Sequence, residues 1–165
     1  MALSEQMARK LNDQVTAEFY SAYYYLGMAV AFNAMGLKVF SERFFEQYDE
    51  EIAHGMKLLR YLLGHKAPAE LQEIRRPPQD WQSAEQIIQA AREHETYVTG
   101  LINALVAQAE QDRDDETHSF LQWYVDEQVE EEESMEELLD LVKSAGPAGL
   151  AAAEQQLAAM MSKDE

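Results

Sequence analysis

Four long segments of this chain place apolar residues at helical spacing, and each is interrupted by polar side chains where the pattern calls for Leu or Phe. The interruptions are Glu18, Glu51-x-x-His54, Glu95 and Gln128-x-x-Glu131. An ionised carboxylate inside a helix bundle is costly unless it is paired or bound to a metal ion. The apolar stripes offer no cationic partner, so the sequence predicts an all-α bundle around a buried metal site.

The ends of the helices are marked by capping residues and glycines. Glycine and proline number only 7 and 4, which favours long, uninterrupted helices. The predicted helices run from about Ser4 to Met35, from about Lys38 to Leu63, from Ser83 to about Arg113, from about Asp114 to Gly146-Pro147, and from Leu150 to about Met161. Ser83 and Gln86 together fit a capping box.

The connections between these helices are unequal in length. Short turns at Gly36 and near Arg113 make the first and second helices, and the third and fourth, antiparallel neighbours. The second and third are separated by the proline-containing stretch from Gly64 to Asp80. A helix of about 27 residues is roughly 40 Å long, and about 12 extended residues can run back along it. The sequence therefore predicts a four-helix bundle with one long crossover loop and a short fifth C-terminal helix.

The length and charge of the chain limit its partners. We expect a single domain over residues 1–165, with the bundle at about 4–145 and the terminal helix at about 148–162. The net charge of −18 repels nucleic acid and anionic lipid and attracts cations. No signal-peptide pattern and no membrane-spanning stretch stand out, so we expect a cytoplasmic protein with neither nucleic acid nor membrane as partner.

The residue types at the interruptions indicate which metal the site suits. Positions three apart share one helix face, so Glu51 and His54 can reach the same ion. Carboxylates with an imidazole suit iron or manganese better than copper, and a chain without cysteine cannot form a thiolate zinc site. The number of carboxylates suits two metal ions that share at least one bridging carboxylate.

The whole chain resembles the non-haem bacterial ferritins, members of the ferritin-like di-iron superfamily. The residues that carry the resemblance are Glu18 in TAEFYSAYYYL, Glu51 and His54 in YDEEIAHGMKLL, Glu95 in REHETYV, and the segment LQWYVDEQVEEE from Leu121 to Glu132. The resemblance implies the ferritin-like bundle and a ferroxidase centre within one subunit. In that centre Glu18, Glu51 and His54 hold one iron, and Glu51, Glu95 and Glu131 hold the other, with Gln128 beside them.

The resemblance also implies roles for further residues near this centre. Tyr25 matches the family's tyrosine near the irons, where it lends an electron or hydrogen-bonds a ligand; alternatively it is one packed ring among its neighbours. Glu50, Glu127 and Glu130, with the shared Glu131, match a third iron site, and the alternative is a solvated acidic face.

Other positions separate this chain from related groups. Bacterioferritins carry a methionine haem ligand where this chain has Ile52, so we expect no haem. His65, His94 and His118 are expected at the surface or at helix ends. Asp112, Asp114, Asp115 and Glu116 are expected to cap the fourth helix, or to match the acidic three-fold channel of ferritins.

The function implied by the resemblance is iron storage with ferroxidase activity. Fe²⁺ is oxidised to Fe³⁺ by dioxygen or hydrogen peroxide and stored as a ferric mineral inside a hollow homo-oligomeric shell of twenty-four subunits. Two alternatives stay open at this point. One is a di-metal carboxylate oxidase or oxygenase of the same bundle class, which needs an apolar substrate pocket. The other is a non-catalytic helical scaffold that binds Mn²⁺ or Zn²⁺.

Overall fold

Five α-helices account for most of the described part of the chain. The computed structural model describes residues 2–164, so the two end residues of the expected domain lie outside the described residues. The helices are α1 (Glu5–Ala34), α2 (Lys38–Gly64), α3 (Ala84–Asp112), α4 (Asp115–Ala145) and α5 (Leu150–Lys163), with one 3₁₀ turn at Pro147–Gly149. The predicted all-α bundle with a short fifth helix is confirmed.

Local capping explains where three of the long helices begin. The side-chain oxygens of Ser4, Ser83 and Asp114 each accept a hydrogen bond from the backbone N–H three residues on. Such caps satisfy backbone donors that have no partner within the helix. The capping box at Ser83 is only half formed, because the Gln86 side chain accepts from the backbone N–H of Gln82 instead of that of Ser83.

The long crossover between α2 and α3 lies along α1. The Asn12 side chain donates to the Pro68 carbonyl at 2.9 Å and accepts from the Glu70 N–H at 2.8 Å. Further along, the Arg75 guanidinium lies 4.7 Å from the centre of the Tyr20 ring. The crossover therefore runs in the same direction as α1. It carries the chain from the end of the bundle where α1 starts to the end where α1 finishes, and α3 begins there.

The apolar core is divided in two, and the polar interruptions lie between the halves. One cluster surrounds Phe32, Phe44 and Met135, and the other surrounds Leu11, Leu58 and Ile102. Along every long helix the inward carboxylate falls between residues of these two clusters. The two apolar halves hold the four helices together at both ends, and they thereby position the acidic residues at mid-bundle.

The fifth helix docks through one carboxylate and through apolar side chains, of which Ala153 and Leu157 are buried. Glu154 Oε2 accepts from the backbone N–H groups of Val39 at 2.5 Å and Phe40 at 3.0 Å. These amides begin α2, whose capping position, Leu37, offers no side-chain acceptor. Glu154 therefore acts as a cap supplied from a distant segment, where a negative charge also interacts favourably with the helix dipole.

Within residues 2–164, no helix combines the length and apolar character needed to cross a lipid bilayer.

Candidate metal centre

The four long helices bring the predicted ligands together in the middle of the bundle. All of them are buried, with at most 5% of the side chain exposed: Glu18, Glu51, His54, Glu95, Gln128 and Glu131. Two groups have one potential ligand atom per residue within 4.8 Å of one another: Glu18 with Glu51 and His54, and Glu51 with Glu95 and Glu131. Glu51 belongs to both groups, so its two oxygens could face two neighbouring ions.

Amide side chains, not cations, surround these carboxylates. Gln47 Nε2 donates to Glu51 at 3.1 Å and to Glu131 at 2.7 Å. Gln14 Nε2 donates to Glu18 at 3.0 Å. In the described part of the chain, no Lys or Arg lies within 4.0 Å of any of these carboxylates. The negative charges are therefore hydrogen-bonded but not neutralised.

Gln14 and Gln47 were missed by the sequence analysis. Each stands four residues before an inward glutamate, which puts it on the same helix face one turn earlier. A glutamine at that spacing from a buried Glu is the signal that could have found them.

Burial and mutual repulsion make the carboxyls of this cluster weak acids. Desolvation, followed by repulsion from Glu51, raises the pKa of Glu18 well above its usual value. Desolvation, followed by repulsion from Glu95, raises the pKa of Glu131 to about 8. Burial likewise raises the pKa of Glu51 and that of Glu95. In addition, Glu18 Oε2 is buried without any hydrogen-bond partner. A bound cation would give this oxygen a partner, and it would also neutralise the charge of the carboxylates around it.

His54 connects the buried cluster to an acidic pocket. Its Nδ1 lies 3.2 Å from Glu51 Oε2 and 4.0 Å from Glu18 Oε2. Its Nε2 lies 3.2 Å from Glu127 Oε2 on the other side of the ring. His54, Glu127 and Glu131 make a third group with ligand atoms within 4.8 Å of one another.

The acidic pocket itself has a volume of about 410 Å³ and opens between α2, α4 and the end of α5. Glu50, Glu127, Glu130 and Glu131 line it. Of the three residues expected at a third iron site, Glu127 belongs to one of these ligand groups, whereas Glu50 and Glu130 are exposed at the pocket wall. One cation, Arg43, also lines the pocket, and its guanidinium donates to Gln47.

Two of the remaining predicted residues contact Glu95. The Tyr25 hydroxyl donates a short hydrogen bond to Glu95 Oε1, and the ring is fully buried against Phe44. Tyr25 is thus both a packed ring and a hydrogen-bond donor to a predicted ligand. Gln128 Nε2 donates to Glu95 Oε2 at 3.1 Å and to Thr99 Oγ1 at 3.2 Å. Both side chains therefore orient Glu95.

His94 is half-buried, whereas the sequence predicted a position at the surface or at a helix end. It lies between α1 and α3, where its Nε2 is 2.7 Å from Ser21 Oγ and its ring is 4.7 Å from that of Tyr24. Burial, aided by Arg75, lowers its pKa to about 4. Helical periodicity placed His94 beside Glu95 without revealing its contacts with Ser21 and Tyr24 on α1.

In the acidic turn before α4, only Asp114 forms the cap. Its carboxylate accepts from the Thr117 N–H at 3.0 Å. Asp112 instead accepts from the Ser4 hydroxyl at 2.6 Å and from the Gln108 amide at 2.9 Å, which ties the start of α1 to the end of α3.

Comparison with known proteins agrees with this architecture. Residues 8–145 match the Ferritin-like domain family. The chain is 32% identical over 155 residues to a bacterial non-heme ferritin of Bacteroides fragilis, covering 94% of this chain and 98% of the relative. A bacterial non-heme ferritin of Campylobacter jejuni is 35% identical over 147 residues, covering 89% of this chain and 88% of the relative. Among solved structures, an open pore ferritin of the archaeon Archaeoglobus fulgidus superimposes with a TM-score of 0.91 at 39% identity, covering 94% of this chain and 96% of that one.

Proposed function

This chain belongs to the ferritin-like family, and we propose that it is a non-haem iron-storage ferritin with ferroxidase activity. The observation that carries the proposal is the pair of buried ligand groups that share Glu51. This arrangement supports two neighbouring ion sites within one subunit, and no Lys or Arg of residues 2–164 lies within 4.0 Å of their carboxylates. In this proposal Fe²⁺ is the substrate of the centre and Fe³⁺ is its product.

The residues around the centre favour oxidation of iron. Glu18, Glu51 and His54 hold one Fe²⁺, and Glu51, Glu95 and Glu131 hold the other. Hard carboxylate oxygens stabilise Fe³⁺ over Fe²⁺, which lowers the reduction potential of the bound pair. Each ion gives up one electron, so two ions supply the electron pair that reduces dioxygen to hydrogen peroxide.

Proton transfer is built into the same ligands. Carboxyls whose pKa is raised by burial hold protons until cations displace them. The protons released when Fe²⁺ binds are available to the reduced oxygen. Gln128 and Tyr25 keep Glu95 oriented during this exchange, and Gln47 does the same for Glu51 and Glu131.

The acidic pocket next to the centre is where we place the third iron. Glu127 takes part with Glu131, and Glu50 and Glu130 at the wall complete an oxygen-rich path away from His54. Zn²⁺ titration of the metal-free protein is expected to show three sites per chain in the parent and two in Glu127→Gln, with Glu133→Gln as the exposed control on the same helix. Three sites in both variants would remove Glu127 from the third site.

Storage requires an enclosed volume that one subunit does not provide. We propose a cytoplasmic homo-oligomer of twenty-four subunits with closed symmetry, which encloses the ferric mineral. The −18 charge of each chain supports cation uptake by such a shell.

The lining of the adjoining pocket argues against an oxygenase that acts on an organic substrate. Such an enzyme needs an apolar cavity beside its metals. The pocket that adjoins this cluster is lined instead by glutamates, which suit a cation better than an organic molecule.

Oxygen uptake after addition of two Fe²⁺ per chain to the metal-free protein tests the proposal. We expect a fast burst in the parent that is lost in the double variant Glu51→Ala/His54→Ala. The matched control is Asp49→Asn, which removes an exposed carboxylate from the same helix and should keep the burst. Equal, slow oxidation in all three proteins would mean that the cluster is structural or holds another metal.

A further inference from the structure

An arginine lies in the acidic pocket beside the metal centre. Arg43, on α2, is half-buried and lines this pocket of about 410 Å³. In the described part of the chain, no carboxylate oxygen lies within 4.0 Å of the Arg43 guanidinium. An ion pair with a neighbouring carboxylate therefore does not explain its position, although the other charged residues that line the pocket are all acidic: Glu46, Glu50, Glu127, Glu130, Glu131 and Asp164.

Gln47 connects this arginine to the metal centre. Arg43 Nη1 donates to Gln47 Oε1 at 2.9 Å, across one turn of the same helix face. The Gln47 side chain is fully buried, and its Nε2 donates to Glu51 at 3.1 Å and to Glu131 at 2.7 Å. A chain of hydrogen bonds therefore runs from a guanidinium in the pocket, through one amide, to two of the proposed iron ligands.

The two carboxylates at the end of this chain are each shared between two groups of potential ligands. Glu51 belongs to both buried groups. Glu131 belongs to one buried group and also to the group that contains Glu127. A displacement of either carboxylate would thus affect two neighbouring ion sites.

Arg43 selects one of the two orientations that the Gln47 amide could adopt. A guanidinium donates hydrogen bonds and accepts none, so only the amide oxygen can face it. The amide NH₂ group is then left to face the carboxylates, which accept its hydrogen bonds. The reverse orientation would set the amide oxygen against two carboxylates and the NH₂ group against the guanidinium, with the loss of all three hydrogen bonds. Arg43 therefore fixes the direction in which Gln47 donates.

We propose that Arg43 is a positioning residue of the metal centre, which acts through Gln47 to hold Glu51 and Glu131 in the geometry that binds metal ions. The proposal rests on the proposed function, because that function makes Glu51 and Glu131 iron ligands. Loss of a side chain that orients a metal ligand typically weakens metal binding about 10–100-fold. Arg43 lies one contact further from the ligands than Gln47, so its loss should weaken binding by less than the loss of Gln47.

The sign of the effect separates this role from that of a simple charge. Arg43 is a positive charge close to proposed cation sites, so its field by itself opposes cation binding. If the field were its whole influence, removal of Arg43 would strengthen the binding of metal ions. If Arg43 positions the ligands, its removal weakens that binding. The two explanations therefore predict opposite changes in the affinity of the centre.

Titration of the metal-free protein with Co²⁺ measures this affinity, and the visible absorption of bound Co²⁺ reports on the geometry of its ligands. We expect Arg43→Met to weaken the binding of the first two Co²⁺ ions several-fold and to change their absorption. Arg43→Lys keeps the charge and a hydrogen-bond donor, so it should bind Co²⁺ more tightly than Arg43→Met. Arg60→Met removes an exposed arginine from the same helix and should match the parent. The proposal is overturned if Arg43→Met binds Co²⁺ as tightly as the parent, or more tightly.

A double-mutant cycle tests whether Arg43 acts through Gln47. Gln47→Met removes the amide but keeps a side chain of similar volume, and it should weaken Co²⁺ binding more than Arg43→Met does. In the Gln47→Met background, Arg43→Met should no longer weaken binding, because no amide remains to be oriented. If Arg43→Met has the same effect in both backgrounds, the two residues act independently and the proposed route through Gln47 is wrong.

Oxygen uptake separates a failure of this proposal from a failure of the proposed function. If the parent binds Co²⁺ and shows the burst with two Fe²⁺ per chain, but Arg43→Met binds Co²⁺ like the parent, the ferroxidase function stands and the role of Arg43 is wrong. If the parent shows neither Co²⁺ binding nor the burst, the proposed function itself has failed, and the role of Arg43 fails with it.

Discussion

Without metal, the buried carboxyls should make the protein less stable as the pH rises. Glu131 has a pKa of about 8 in the folded protein, compared with a usual value of 4.5. Between those values the folded chain holds a proton that the unfolded chain has lost. Because the folded state binds more protons in this window, the free energy of unfolding falls as the pH rises through it. The stabilisation present below pH 4.5 is lost by about pH 8.

The size of the effect follows from the width of the window. One proton held only by the folded state changes the free energy of unfolding by about 1.4 kcal/mol per pH unit. Between about pH 5.5 and about pH 7.5, Glu131 alone therefore contributes a loss of up to roughly 3 kcal/mol. Glu18, Glu51 and Glu95 are shifted in the same direction and add to the loss.

Replacement of Glu131 by glutamine isolates this contribution. The amide oxygen of Glu131→Gln can still accept the hydrogen bond from Gln47, but the side chain no longer titrates. We expect the free energy of unfolding of the metal-free variant to depend less steeply on pH than that of the parent, by up to one proton's worth of slope. Glu133→Gln removes an exposed carboxylate from the same helix and should keep the parent slope.

The assay is urea or thermal unfolding of chelator-treated protein, followed by circular dichroism at constant ionic strength and constant protein concentration. Zn²⁺ should invert the trend, because its binding releases protons and strengthens as the pH rises. If the metal-free parent is equally stable across this range, or if Glu131→Gln keeps the full slope, the carboxyls do not hold their protons and the reasoning is refuted.

Three substitutions, with Gly100→Ala as a control for the first, test the packing and the helix caps of the bundle. A Cβ at Gly55 would lie 2.5 Å from the Phe19 ring, so Gly55→Ala should lower the free energy of unfolding by about 1–3 kcal/mol. The position of Gly100 has open space around it, so Gly100→Ala should raise the free energy of unfolding by about 0.5–1 kcal/mol. Equal effects of the two substitutions in urea unfolding would contradict the clash. Glu154→Ala removes the acceptor at the start of α2 and should cost about 1–2 kcal/mol, with earlier proteolysis of α5 as the measurement; an unchanged cleavage rate would show that α5 docks without it. Asp114→Ala should cost about 0.5–2 kcal/mol through loss of the α4 cap, and a melting temperature equal to that of the parent would count against this cap.

The features that could be predicted from the sequence are those that depend on residues close together along the chain. The helix starts at Ser4, Ser83 and Asp114 follow from capping, which involves residues three positions apart. The inward position of Glu18, Glu51, Glu95 and Glu131 follows from helical periodicity, because 3.6 residues per turn decides which side chains share a face. The crossover follows from its length and prolines. All of these depend on spacing along one chain segment.

Contacts between distant segments could not be predicted from the sequence and were decided by the tertiary structure. The rotation and offset of packed helices decide that Glu127, and not Glu50 or Glu130, reaches His54. Docking of α5 through Glu154 and the contact between His94 and Ser21 join residues distant in sequence. Sequence periodicity specifies the face on which a side chain lies, but not its distance from a side chain on another helix. That distance is set by how the two apolar halves of the core pack, and it decides which carboxylates can share an ion.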